Sequence, residues 1–352
     1  MKIALTADIH LSSRSRFPER YQALENILLQ LPEKDCQTLA IAGDLFNKDL
    51  RNHAEFDHLC NAHPGIEIHI IPGNHDIDLA GASFTARNVH VYNTPCQKTL
   101  DETGVKFLFL PYVQGKSMGE ALAESKIEDL DPGRWVLIAH GDWIGAAVGR
   151  NLMEVGVYMP LTRYDLTKFS PSKVFLGHIH APFDSELVHY IGSPCPMDIS
   201  ETGIRRFLVY DTLTGEVNPH RVETSVIYQQ EIITILPVED ETVYLQAVAQ
   251  ERMRHWRLGE QDLSKVVLRV KVRGWSQDKK VLLHTVEDAF STVNLESEPD
   301  LSEVSLAVSD PARDELVQQI ANRLHGEPLL AGSDDPSNEQ ILQSALDIIY
   351  GR

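Results

Sequence analysis

Five apolar runs in the first half of the chain each end in a cluster of Asp, Asn, His and Gly, and this recurrence limits the fold more than any other feature. The runs, residues 3–7, 38–42, 66–71, 135–139 and 173–176, alternate with helical stretches such as 20–31 and 53–61. That alternation is the pattern of a layered α/β domain. The clusters are Asp8-Ile9-His10, Gly43-Asp44, Gly73-Asn74-His75-Asp76, His140-Gly141-Asp142 and Gly177-His178-Ile179-His180. Open α/β sheets place ligand sites beyond the carboxyl ends of their strands, where these clusters fall. A lone Asp-x-His arises roughly once by chance, but Gly-Asn-His-Asp is expected in about one of several hundred chains of this composition.

The chemistry of the clusters is that of a metal site. Asp8, Asp44, Asn74, His10, His140, His178 and His180 offer carboxylate, amide and imidazole donors suited to Mn, Fe or Zn. Cys36, Cys60, Cys96 and Cys195 are far apart with no Cys-x-x-Cys pair, so neither a closed thiolate site nor a disulfide framework is indicated. On an extended segment Asp8 and His10, or His178 and His180, would point the same way. Seven ligands exceed the needs of one ion. A carboxylate such as Asp44, shared between two cations about 3.5 to 4 Å apart, would clamp the attacking and leaving oxygens of a phosphoryl ester.

The ordered motifs resemble the calcineurin-like metallophosphoesterase superfamily, and the resemblance spans Asp8 to His180. It implies a layered β-sandwich flanked by helices. It also implies one cation held by Asp8, His10, Asp44 and His180 and another by Asp44, Asn74, His140 and His178, with Mn2+ first and Fe or Zn as alternatives. His75 would assist the departing alkoxide, oriented by Asp76. Asn47 departs from the many relatives that carry a second Asp there. Within the superfamily, Asp8 to Leu11, Gly43 to Phe46, and Ile191-Gly192-Ser193-Pro194 leading to Asp198-Ile199-Ser200-Glu201 are similar to the SbcD family of DNA repair nucleases. That similarity implies 3′–5′ exonuclease and single-strand endonuclease activity at DNA ends, in the cytoplasm, with a coiled-coil ATPase of the SbcC type as partner. A small-molecule phosphodiesterase for cyclic or dinucleotide substrates is the alternative enzyme. A DNA-end scaffold with purely structural metals is the non-enzyme reading, and His75 beside Asn74 weighs against it.

Three regions follow from the pattern: a phosphoesterase domain at 1–225, a smaller α+β capping domain at 226–310 and C-terminal helices at 311–352. The 352 residues carry 51 acidic and 32 basic side chains, a formal charge of −19, which opposes unaided binding to nucleic acid. Residues 252–280 nevertheless hold nine basic and three acidic side chains. Arg269, Lys271 and Arg273 there, with Arg14, Arg16 and Arg20 near the first motif, are candidate DNA contacts. The terminal helix, expected to start at Asp335-Pro336, carries Ile341, Leu342, Leu346 and Ile349 on an apolar side suited to docking the ATPase. A homodimer is also allowed. The N-terminus reads as a first strand and not a leader, and no apolar run reaches the length of a membrane span.

Overall fold

The computed structural model describes residues 1–48, 52–100, 103–125, 130–145, 156–236, 240–307, 310–326 and 338–350. The chain divides into two compact units, Met1–Pro196 with Ile204–Ser225, and Met197–Gly203 with Val226–Arg352. The short 197–203 segment, which contains Asp198 to Glu201, therefore groups with the second unit.

Unit 1 contains β1 (Lys2–Thr6), α1 (Pro18–Gln30), β2 (Cys36–Ala42), α2 (His53–Ala62), β3 (Glu67–Ile71), β4 (Val89–Val91), β5 (Cys96–Thr99), β6 (Lys106–Leu110), α3 (Met118–Glu124), β7 (Trp135–His140), α4 (Arg163–Phe169), β8 (Lys173–Gly177), β9 (Phe183–Asp184), β10 (Val188–Tyr190), β11 (Arg206–Asp211) and β12 (Val217–Arg221). They form two six-stranded sheets, ordered β12-β11-β1-β2-β3-β4 and β5-β6-β7-β8-β10-β9. β1 to β4 run parallel in the first sheet, as do β6, β7, β8 and β10 in the second. The antiparallel strands lie to the sides: β11 and β12 at one side of the first sheet, whose other edge is the parallel β4, and β5 and β9 at the two edges of the second.

Side-chain alternation decides which residues fill which layer. Ile3, Leu5 and Ala7 of the first strand run join Phe107, Phe109, Val136, Ile138 and Phe175 in the core between the sheets. Their neighbours Ala4, Leu39 and Ile41 face outward under α1, whose Tyr21, Leu24, Ile27 and Leu28 recur at helical spacing and are buried. Both faces of these strands are thus covered, which is why they read as continuous apolar runs. Truncating Phe175, fully buried between the sheets, would cost about 3 to 5 kcal/mol. The expected layered α/β sandwich is the fold observed. Two short helices that apolar periodicity did not reveal, α3 and α4, begin at capping boxes, Ser117 with Glu120 and Thr162 with Asp165.

Unit 2 contains β13 (Ile227–Ile235), α5 (Glu241–His255), α6 (Glu260–Leu263), β14 (Val266–Ser276), α7 (Lys279–Ala289), β15 (Asn294–Leu295), β16 (Asp300–Leu306), α8 (Pro311–Gly326) and α9 (Asn338–Tyr350). β14 lies at the centre and pairs in parallel with β13, β15 and β16. Parallel neighbours need crossover connections, which α5 and α7 supply. Among the described residues no helix is long and apolar enough to cross a membrane.

Candidate metal centre

The carboxyl ends of β1, β2, β3, β7 and β8 deliver the five polar clusters to one cleft in unit 1. The first two are laced together through their main chains: Asp8 N–H donates to Gly43 O at 3.1 Å, His10 N–H to Asp44 O at 3.0 Å and Leu11 N–H to Leu45 O at 2.8 Å. Among the described residues, eight non-glycine residues have a left-handed backbone, and four of them are Asp8 (φ 54°), His10 (50°), Asp44 (52°) and His178 (91°). Such torsions cost roughly 1 to 3 kcal/mol each and cluster where function demands an unusual side-chain direction. The extended geometry expected of Asp8-x-His10 is therefore corrected: tight left-handed turns, not strand alternation, aim these side chains inward. Glycines make room beside them. A Cβ on Gly43 would sit 2.1 Å from His140 Nδ1, and one on Gly73 would sit 2.1 Å from Asp44 Oδ1.

The donor atoms converge closely. His10 Nε2 is 3.2 Å from His180 Nε2 and 3.6 Å from Asp44 Oδ2. His140 Nε2 is 3.4 Å from Asp44 Oδ2 and 2.9 Å from Asn74 Oδ1, while its Nδ1 lies 2.9 Å from the Ala42 carbonyl. The main-chain N–H of His178 donates to both oxygens of Asp8, at 2.9 and 3.1 Å, and its ring lies 5.4 Å from that of His140. Ligand atoms of Asp8, His10 and His180 lie within 4.8 Å of one another, as do those of Asp8, Asp44 and His140, and those of His10, Asp44 and His75. Asp8 and Asp44 each belong to two of these groups, so the carboxylates tie the groups together.

The buried acids and imidazoles of the cluster shift one another strongly. Burial raises Asp8 to about 6, against the pull of His180 and His140. Burial also opposes ionisation of Asp44, but His140, His10 and His75 overcome it and hold that carboxyl well below its usual range. Burial alone would depress His140, yet Asp44 and Asp8 raise it to about 10. Burial keeps His10 well below the ordinary imidazole range, with Asp44 opposing and His180, His75 and Arg20 reinforcing. The two carboxylates thus draw positive charge toward His140, while burial disfavours a charge on His10. Oxygen and nitrogen donors of this kind fit hard or borderline divalent cations.

Residues 1–182, just over half of the chain, match the calcineurin-like phosphoesterase family. The chain belongs to that family. This phosphoesterase is a metal-dependent hydrolase, and among the described residues the Asp and His groups of the cleft could bind the metal. Among solved structures it is similar to TT1561 of Thermus thermophilus, at 14% identity over 63% of this chain and 99% of that one, with a TM-score of 0.42. It is also similar to GAP50, the anchor in the inner membrane complex of Plasmodium, at 10% identity over 64% and 89% of the two chains, with a TM-score of 0.39. No curated protein matches the phosphoesterase.

The structure brings Asp8, His10, Asp44, Asn74, His140, His178 and His180 into one cleft, with His75 at its rim. His75 N–H donates to Asp44 Oδ1 at 2.9 Å, and its side chain retains 19% exposure. Asp76 differs from expectation. Its carboxylate accepts from Gly73 N–H at 2.7 Å and Phe46 N–H at 3.1 Å, so it pins two ligand loops instead of orienting the His75 ring. Asn47 donates its N–H to Leu11 O and accepts from Lys48 N–H, a role in the loop itself. Asp142, which stands inside a motif that gives it no evident role, joins the site: its Oδ1 is 3.7 Å from His178 Nε2 and its Oδ2 accepts from Tyr158 N–H.

The candidate DNA contacts do not form a free cationic surface. Arg269 makes a two-pronged bond to Glu296 at 2.6 and 2.7 Å, Lys271 pairs with Glu303 at 2.6 Å, and Arg273 donates to Thr234 Oγ1 at 3.1 Å. Arg14 lies over the Tyr21 ring and 3.9 Å from Glu25, and Arg16 lies over Phe17. Arg20 is buried and donates to the His10 carbonyl, so it is no substrate contact. Leu342 and Leu346, read as docking residues, are buried with Val317 and Ala321 of α8, and Ile349 packs against the same cluster. Ile341 is half-buried. The expected start of this helix at Asp335-Pro336 lies outside the described residues.

Proposed function

We propose that this phosphoesterase is a nuclease that hydrolyses phosphodiester bonds at DNA ends, as a 3′–5′ exonuclease and single-strand endonuclease, using two divalent cations, Mn2+ first among them. The observation that carries the reading is the shared use of Asp8 and Asp44 by three overlapping donor groups in one buried cleft. Asp8, His10, Asp44 and His180 would hold one cation, and Asp44, Asn74, His140 and His178 the other. Divalent ions in such a site supply Lewis-acid stabilisation of phosphoryl oxygens and acidify water.

The chain's own residues divide the remaining work. His75 N–H holds one oxygen of Asp44, which fixes that carboxylate and places the His75 ring at the open side of the cleft. From there the imidazole can give a proton to the departing oxygen, a contribution usually worth about 100- to 10,000-fold. Asn74 and His140 are held against each other through the Asn74 amide oxygen, and the Ala42 carbonyl fixes the His140 ring. The preference for DNA ends rests on the motifs shared with SbcD nucleases, and the net charge of −19 suits a chain whose DNA affinity comes largely from a partner such as an SbcC-type ATPase.

The test is Mn2+-dependent degradation of linear DNA by wild type and Asp44→Asn, with a cyclic dinucleotide assayed in parallel. Degradation of DNA by wild type alone is expected. Equal rates in the two proteins overturn the metal mechanism, and turnover of the cyclic dinucleotide without DNA cleavage overturns the substrate.

A further inference from the structure

Two arginines lie inside unit 1, where a charged side chain needs a specific reason to be. Arg205 is 1% exposed and Arg20 is 7% exposed. Each donates to the main-chain carbonyl of one of the two histidines whose Nε2 atoms face each other at 3.2 Å: Arg20 to His10 O at 2.6 Å, and Arg205 to His180 O at 2.6 Å. Arg205 also donates through Nε to Ser193 O at 2.9 Å and through its terminal nitrogen to Ser193 Oγ. Ser193 N–H in turn donates to His180 O at 3.1 Å, so the His180 carbonyl is held from two sides. The backbone next to it is crowded as well, since a Cβ on Gly192 would meet His180 O at 2.9 Å.

On the reading of the cleft as a metal centre, we infer that Arg20 and Arg205 are positioning residues that fix the main chain of His10 and His180 and thereby set the gap between their imidazoles at one cation position. Stripping a guanidinium of water is costly, and burial of two of them against the carbonyls of paired ligands is more than packing requires. The guanidinium fork suits the task because its donors are rigidly spaced. Arg205 uses that fork to tie the segment after β8, carrying His180, to the Ile191-Gly192-Ser193-Pro194 segment. An ammonium on a flexible stem cannot reproduce that fixed spacing. The role also accounts for two residues that the metal ligands alone leave unexplained, Ser193 and Arg205.

The experiment titrates Mn2+ alone into the full chain, following free Mn2+ by electron paramagnetic resonance, for wild type, Arg205→Gln, Arg205→Lys, His180→Ala and the double variant His180→Ala/Arg205→Gln. Partners lying outside the ligand set typically change metal affinity by about 10- to 100-fold. Arg205→Gln is therefore expected to weaken one of two Mn2+ equivalents by about that factor, and Arg205→Lys by less. If Arg205 acts through His180, its substitution adds no further loss in the His180→Ala background. Should Arg205→Gln fail to fold, Arg205→Lys carries the same comparison, in the wild-type and His180→Ala backgrounds. Wild-type affinity in the arginine variants, or an equal added loss without His180, overturns the positioning role and leaves the metal centre standing. A wild-type chain that takes up no Mn2+ overturns the metal centre itself.

Discussion

The cleft of unit 1 and the sheet of unit 2 are both rich in charge, yet they handle it in opposite ways. In unit 2 two cations on β14 meet complements across the sheet, Arg269 with Glu296 and Lys271 with Glu303, and Arg273 donates to Thr234. In unit 1 donors crowd together and are shared: imidazole faces imidazole at 3.2 Å, and the buried Asp8 and Asp44 each belong to two overlapping groups. Four of the residues involved hold left-handed backbone torsions. A cluster that satisfies itself is a stabilising surface, whereas one that gathers lone pairs at a structural cost is built for something it does not itself contain. The density of charge in the sequence does not separate the two cases, but the sign and aim of the partners do.

That contrast breaks most decisively at Asp44. Asp44→Asn is expected to lower DNA hydrolysis by roughly a thousandfold or more and to remove tight Mn2+ uptake, because one substitution weakens two donor groups. Retained activity would mean that the convergence is incidental. His75→Ala tests the rim: a loss of about 100- to 10,000-fold in kcat with two Mn2+ still bound is expected. Loss of an ion instead would move His75 into the ligand set.

A buried titratable group outside the cleft sharpens the comparison through pH. His69 lies between the sheets, its Nδ1 2.8 Å from Tyr92 Oη and its ring stacked near His90 and Phe109. Burial, reinforced by His90 and Lys98, lowers it to about 4 from 6.5. Between those values the unfolded chain binds the extra proton, so stability rises with pH, and acidification from pH 6.5 to 4 is expected to remove about 3 kcal/mol. Thermal unfolding of wild type and His69→Gln across this range checks the slope, which the variant should flatten. The smallest effect belongs to unit 2. Replacing Arg269 and Lys271 by Ala should move the melting midpoint by no more than a few degrees, as for other exposed ion pairs. A large, sequence-independent loss of DNA affinity in that variant would show that the paired face opens to bind a phosphate backbone.

Much of unit 1 was legible because strands covered on both faces leave unbroken apolar runs, and the metal motifs begin where those runs stop. β9 and β15, each two residues long, leave no periodicity to read. The pairing of Arg269 with Glu296 depends on strand register across 27 residues, which local composition does not encode. Arg20 and Arg205 were hidden for a different reason. An isolated arginine reads as a surface residue, and only the folded chain shows each one buried beneath a ligand carbonyl. Asp142 was visible in its motif but had no evident task until β7 and β8 were side by side.

The lacing of the β1 and β2 loops has a consequence for how the centre holds together. Because the peptide groups from Asp8 to Leu11 are zipped to those from Gly43 to Leu45, neither loop can change shape while the other stays still. The positions of Asp8 and His10 are therefore tied to that of Asp44. Loosening either loop should thus weaken both cation positions together, whichever ligand it carries.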